Sequence, residues 1–221
     1  MPKVMYASVT KKIIMSLLGL FLISFLVVHM SINLLILVDD TRQLFNEAAH
    51  FMATNPAIQI FQWVLFLGFV LHIILGVVLQ LQNWMARPVR YARQGSSEMS
   101  FFSKYMIHTG AIVLIFLVLH FANFFVKAKF GHVPEIDYES GAYEDLGLLV
   151  VELFKDGWYV AFYVVAILLL GFHLEHGFQS AFQSLGLNHS RYTPVIKAAG
   201  TVLAVVLTLG YIAIPLVIYF S

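Results

Sequence analysis

The stretch Ile13–Val38, "IIMSLLGLFLISFLVVHMSINLLILV", decides how this chain folds. It runs for 26 residues without one Asp, Glu, Lys or Arg. A helix needs about 20 predominantly apolar residues to cross ~30 Å of hydrocarbon, so this one is long enough to span. Lys3, Lys11 and Lys12 stand ahead of it, a flank that also suits a secretory signal. A signal's apolar region is about 7–15 residues and ends at a small-residue cleavage site. Here the run is longer and no such site follows, so it reads as a retained membrane helix.

The rest of the chain has the same character. Of its 221 residues 60% are hydrophobic and only 11% charged, against about 25% charged in soluble domains. Four more spanning segments follow, at about 57–84, 102–126, 157–186 and 195–220. Pro56 and Pro194 sit where a helix N-terminus tolerates proline. The fold class expected is an all-α integral membrane protein, with five transmembrane helices in a bundle forming a single domain over 1–221.

Loop charges orient the chain. With the N-terminus inside, the inner segments carry Lys3, Lys11, Lys12, Arg87, Arg90, Arg93, Lys104, Arg191 and Lys197. The outer ones carry only Arg42, Lys127, Lys129 and Lys155. That excess follows the positive-inside rule and leaves the C-terminus outside. Among the acids, only Glu98 and Glu175 are not on the outer side. A net charge of +1 gives no argument for nucleic acid. The absence of cysteine excludes disulfides, thiolate zinc sites, an iron–sulfur cluster held by this chain alone and covalent haem attachment. The outer stretch Tyr143–Lys155 is apolar on one side and acidic on the other. It reads either as a short helix in the membrane interface or as an ordered loop packed on the bundle. Trp63, Trp84, Trp158 and most tyrosines fall near span ends, as an interfacial belt does.

The chemistry lies in the histidines. Of nine, His50, His132 and His189 fall in loops or at helix edges and read as solvated. His108 lies one turn inside the third span and reads as a polar cap. His29, His72, His120, His173 and His176 lie well inside apolar segments, where ionisable side chains are costly and face a partner, a cofactor or the bundle interior. At 1.5 Å per residue, His29 and His120 lie roughly 10–15 Å from the outer charged edge, and His72 and His173 roughly 25 Å from it. The chain thus offers two levels with two histidines each. Two neutral imidazoles facing one another suit the six-coordinate iron of an electron-transfer haem. Two such haems would form an electron path across the bilayer.

Neighbouring residues extend the pattern. His72 has Gly68 and Gly76 one turn away, and His173 has Gly177. Glycines on a histidine's own face give clearance for a flat ring, or simply close helix packing. Asn33 follows His29 by one turn and Asn123 follows His120. Either amide can orient a ring, bond a propionate or join two helices. In "GFHLEHGFQS", Gly171–Ser180, His173 and His176 lie within about 60° of each other. His173 is the favoured ligand because of its glycine. His176, with Ser180 one turn on, is the alternative, or a hydrogen-bond donor to a propionate or quinone. Glu175 points about 160–200° away from His173. It reads as a proton relay or as a structural hydrogen bond.

Four quoted segments carry a resemblance. "SLLGLFLISFLVVHMSINLL" (Ser16–Leu35), "LHIILGVVLQLQNW" (Leu71–Trp84), "TGAIVLIFLVLHFANFF" (Thr109–Phe125) and "FHLEHGFQSAFQSLGL" (Phe172–Leu187) resemble the succinate dehydrogenase/fumarate reductase cytochrome b subunit. The likeness is to the bacterial single-polypeptide, five-helix, two-haem type and covers nearly the whole chain. Its most specific element is F-H-x-x-[HN]-G-x-x-S at Phe172–Ser180. The resemblance implies an anchor in the bacterial cytoplasmic membrane for a flavoprotein subunit and an iron–sulfur subunit on the cytoplasmic face. Electrons would pass between the iron–sulfur chain and a membrane quinone, usually menaquinone, with the dicarboxylate chemistry on a partner. It implies two haems b: His72 and His173 on the proximal iron, His29 and His120 on the distal one. Ser16 matches a position near the proximal propionates. Two other readings compete: a cytochrome b subunit of a hydrogenase or formate dehydrogenase, and a haem-free transporter.

Overall fold

A computed structural model describes residues 8–85 and 101–221, the side chains of 8 and 101–104 excepted. Lys3, Arg87, Arg90, Arg93 and Glu98, and the side chain of Lys104, therefore lie outside what is described. Five helices are long and apolar enough to cross a membrane, and this is a multi-pass membrane protein by that measure. They are α1 (Ser8–Leu34), α3 (Pro56–Met85), α4 (Phe101–His120) with its continuation, α7 (Gly157–Ser184) and α8 (Thr193–Phe220).

A backbone in lipid must satisfy its own hydrogen bonds, which a helix does. Local sequence sets where each helix begins and ends. Asn55 Oδ1 accepts from the backbone N–H groups of Ala57 (3.0 Å) and Ile58 (3.3 Å), and Pro56 occupies the first turn of α3. Asp156 caps α7 by accepting from Trp158 N at 2.9 Å. At the other end of α7, Gly186 takes φ +81°, and Leu187 N donates to Phe182 O. That left-handed residue closes the helix, and glycine adopts it without steric cost.

Helix α7 is central. It packs against α1, α4, α6 (Leu146–Phe154) and α8, whereas α3 packs chiefly on α1. Its buried residues Val160, Tyr163, Ile167, Gly171 and Leu174 follow helical spacing. Two apolar clusters form: one around Ile36, Phe154, Tyr163 and Ile214, another around Ile23, Leu174, Ala204 and Leu207. Small residues bring α7 and α8 close, since a Cβ added to Gly171 would run into the Thr208 hydroxyl.

The outward surface of α3 is a continuous apolar stripe. Ile60, Trp63, Leu67, Val70, Ile74, Val77, Leu81 and Trp84 are all exposed. Trp63 and Trp84 close the stripe about 30 Å apart along the axis, close to the hydrocarbon thickness. In water such a face would be an aggregation surface; in lipid it is solvated.

The third span differs from expectation. After His120 it winds as a π-helix, Phe121–Val126, before a short α5 (Lys127–Phe130). It therefore runs to Phe130 rather than ending near 126. The chain also departs from an all-α fold. β1 (Glu135–Tyr138) and β2 (Gly141–Glu144) form an antiparallel hairpin with Ile136 opposite Tyr143. Gly141 takes φ +134° at the turn.

The hairpin belongs to a cap at one end of the spans. The cap also holds α2 (Gln43–Thr54), which contains His50, and α6 (Leu146–Phe154). In the stretch Tyr143–Lys155 the two sequence readings merge: it is helical from Leu146, and its Gly147, Val150 and Phe154 are buried against the other helices.

Candidate functional site

Four spanning helices bring half-buried histidines together in pairs. His29 on α1 faces His120 on α4, with ring centres 5.8 Å apart and planes crossed at 89°. His72 on α3 faces His173 on α7, with centres 6.4 Å apart and planes at 69°. These are the pairs that depth along the sequence suggests. A metal–imidazole bond is about 2.0–2.1 Å and the ring centre lies about 1.1 Å further back. Two rings on opposite sides of one metal therefore have centres about 6 Å apart. Both separations match that figure.

Neither pair can hold a bare ion well. Among the described residues no group of three or more His, Cys, Asp or Glu side chains is placed to hold a metal. Two axial nitrogens suit a metal whose equatorial ligands come from a macrocycle. The other explanation of a histidine inside a span is an ordinary hydrogen bond between helices, and among the described residues His72 makes none through Nδ1.

The His29–His120 pair, the outer one of the sequence reading, is set in aromatic residues. The Phe25 ring stacks on His29 and the Phe116 ring on His120. Tyr211 of α8 lies 6.1 Å from the His29 ring and donates its hydroxyl to Leu26 O at 2.7 Å. Asn33 reaches back one turn: Nδ2 donates to His29 O at 2.8 Å and lies 3.3 Å from His29 Nδ1. It thus sits against the ring, as the sequence allows. Asn123 joins two helices. Its Nδ2 donates to Tyr159 Oη on α7 at 3.1 Å.

The His72–His173 pair, the inner one of the sequence reading, is set among small residues, but not those the sequence singles out. A Cβ on Gly19 of α1 would come 3.7 Å from His72 Cε1, and one on Gly110 of α4 would come 3.5 Å from His173 Cε1. Gly76 and Gly177 instead face the methyl ends of Met15 and Met106. Gly68 faces the Phe21 ring. Spacing within one helix finds glycines on a histidine's own face; the glycines beside the rings belong to neighbouring helices, which that spacing cannot see. Thr109 Oγ1 lies 3.4 Å from His173 Nδ1 and also donates to Met106 O.

His176 is half-buried and has no ring contact with His72; the ring that faces His72 is His173. Ser16 is buried, and its hydroxyl donates to Lys12 O within its own helix at 2.8 Å. Glu175 faces α8, where Thr201 Oγ1 donates to its Oε1 at 2.7 Å. Interhelical hydrogen bonds in membranes average about 0.6 kcal/mol. Thr201→Val is expected to cost about that much in thermal unfolding in detergent, and no loss would show that the bond carries no net stability.

The cap is held by a polar cluster that pattern reading did not reveal. Arg42 takes φ +62° and pairs with Asp145, Nη2 to Oδ2 at 2.7 Å and Nε to Oδ1 at 3.1 Å. Asn46 Nδ2 and Leu148 N also donate to Asp145 Oδ1. Burial opposes ionisation of Asp145, but these donors prevail and hold its pKa below the ordinary 3.8. On the opposite side of the cap, His50, Gln59, Lys129, Glu135, Tyr143 and Glu144 border a half-polar cleft.

No family model matches the sequence, and no significant similarity to a curated protein or a solved structure was found.

Proposed function

We propose that the chain is the dihaem cytochrome b anchor of a succinate:quinone oxidoreductase, passing electrons between an iron–sulfur subunit and membrane menaquinone. One observation carries the reading: two pairs of crossed imidazoles at 5.8 and 6.4 Å, each joining two different helices, at two levels of one set of membrane helices. The likeness of the four histidine segments to the cytochrome b family supplies the partners: a flavoprotein and an iron–sulfur protein on the cytoplasmic face. Orientation is proposed from the lysines and arginines, with the N-terminus cytoplasmic and the C-terminus outside, and the bacterial cytoplasmic membrane from the family likeness.

In this reading His72 and His173 hold the haem nearer the iron–sulfur subunit, and His29 and His120 hold the distal one. Haem supplies reversible one-electron transfer at a closed, six-coordinate iron. The chain's own residues set the conditions. Phe25, Phe116 and Phe124 keep water from the outer pair. Asn33 limits rotation of the His29 ring. Gly19 and Gly110 leave the inner rings room at their edges. Glu175 is a proton relay in this scheme; undiminished quinone turnover with unchanged proton coupling in Glu175→Gln would remove that role.

The purified chain is expected to yield two haems b per polypeptide in a pyridine haemochrome assay, and to co-purify with a flavin-carrying, succinate-oxidising partner. No haem would overturn the reading. Two haems with a hydrogenase or formate dehydrogenase partner would redirect it to that class.

A further inference from the structure

Three of the four paired histidines have a neighbour at Nδ1, each a different one, and one of these neighbours leads further. Tyr163 of α7 sets its hydroxyl 3.3 Å from His120 Nδ1 and 3.0 Å from Tyr159 Oη, one turn earlier on the same helix. Asn123, in the π-turn after His120, lies 3.1 Å from the far side of Tyr159 Oη. The result is a ring of hydrogen bonds that leaves α4 at His120, crosses to α7 through two phenols and returns to α4 three residues on.

Tyr163 is not there for want of another position. It is only 4% exposed, and the rings of Phe116, Phe154 and Phe162 surround it. A phenol in such surroundings needs partners for its hydroxyl. The structure gives it two, Tyr159 and His120. Buried phenylalanine would fill the same volume without that demand. His29, by contrast, has an amide from its own helix, His173 has a threonine, and His72 has none.

A hydroxyl chain of this kind can run in either direction, because each phenol has one donor and can accept. With Tyr159 donating to Tyr163, as the heavy atoms are arranged, Tyr163 donates to an unprotonated Nδ1. Reversed, Nδ1–H donates to Tyr163, Tyr163 donates to Tyr159, and Tyr159 donates to the Asn123 carbonyl oxygen after its amide turns over. Only the reversed chain leaves the lone pair of Nε2 free for a metal, since the partner of one ring nitrogen fixes the role of the other.

We propose that Tyr163, backed by Tyr159 and Asn123, is the positioning residue of the outer pair: it accepts the Nδ1 proton of His120, so that the ring presents Nε2 to the iron. This rests on the two-haem reading. A hydrogen bond accepted from the distal N–H of a ligating imidazole strengthens that ligand and is one of the levers on a haem's potential. A stronger donor stabilises ferric iron, so removing the bond raises the potential. No other histidine of the four has this device, so the effect is confined to one haem.

The test is a spectroscopic redox titration of the purified full-length chain with Tyr163→Phe, the wave of the outer haem being assigned as the one lost in His120→Leu. Expected is retention of two haems b, a positive shift of the outer haem's potential, a moved low-spin ferric EPR line for that haem and an unchanged inner haem. Tyr159→Phe, which leaves Tyr163 in place, is expected to shift the same wave in the same direction by less. Two retained haems with neither potential moved in Tyr163→Phe would overturn the proposal. If Tyr163→Phe loses its outer haem, Tyr159→Phe decides: a shift confined to the outer wave supports the proposal, and none overturns it. A wild-type chain without haem would instead overturn the two-haem reading, a result the haem count alone distinguishes.

Discussion

On the two-haem proposal, leucine at His173 is expected to lower haem content from two per chain to one, while leucine at His176 leaves two. The argument is geometric. His173 brings its ring centre to 6.4 Å from that of His72, and Thr109 and Gly110 of α4 lie against it. His176, three residues on, is turned about 60° around the helix and makes no ring contact with His72. Leucine at His29 or His120 is likewise expected to remove one haem, that of the outer pair, and to leave the inner one. A haemochrome count on each variant, normalised to protein, reads the result. Loss of haem in His176→Leu with retention in His173→Leu would reverse the assignment. Loss of both haems in every variant would mean that the pairs fold only together.

The second large effect is expected at the cap. Asp145→Ala removes the acceptor of Arg42, Asn46 and Leu148 N in one step. Breaking a buried pair by deleting one partner costs about 3–5 kcal/mol. Arg42 retains access to water, with 25% of its side chain exposed, so the lower figure, about 3 kcal/mol, applies. Asp145→Asn keeps an oxygen for Leu148 N and is expected to lose less. The pH dependence has a definite sign. The Asp145 pKa is held below its ordinary 3.8, so the unfolded chain binds more protons as the solution is acidified. The pair's contribution is fully present above about pH 4 and is lost as pH falls through the lowered value. Asp39, lowered first by the Thr41 hydroxyl and then by the N–H groups of Leu44 and Gln43, adds in the same direction. Thermal unfolding in detergent should therefore show an added loss of stability below about pH 4, shallower in Asp145→Asn. An equal fall in both would remove Asp145 as its source.

The spans and the histidine pairs were legible because each rests on a one-dimensional signal. Ile13–Val38 is uncharged along its whole length, and depth at a fixed rise per residue matches His29 with His120 and His72 with His173. The cap was not legible because its elements answer to distant residues. Arg42 and Asp145 are 103 positions apart, and the pair requires a left-handed backbone at an arginine, which no composition announces. The hairpin has four-residue strands rich in charge, a pattern that reads as loop. Gly19 and Gly110 went unnoticed because their histidines lie on other helices. Tyr163 went unnoticed because a tyrosine near a span end has a sufficient ordinary explanation as a belt residue.

The π-turn Phe121–Val126 has a consequence for the outer end of α4. A wide turn holds one residue more than the α-turns on either side, so everything beyond it is advanced by about 100° around the axis. The turn acts as a phase shifter between two settings of one helix. Below it, the angular position of His120 answers to His29. Above it, Lys127 and Lys129 answer to the water and headgroups. Deleting a single residue there would shorten the span by only about 1.5 Å, yet would re-aim both lysines and move Asn123 off Tyr159. Length is tolerant at this point in the chain, and angle is not.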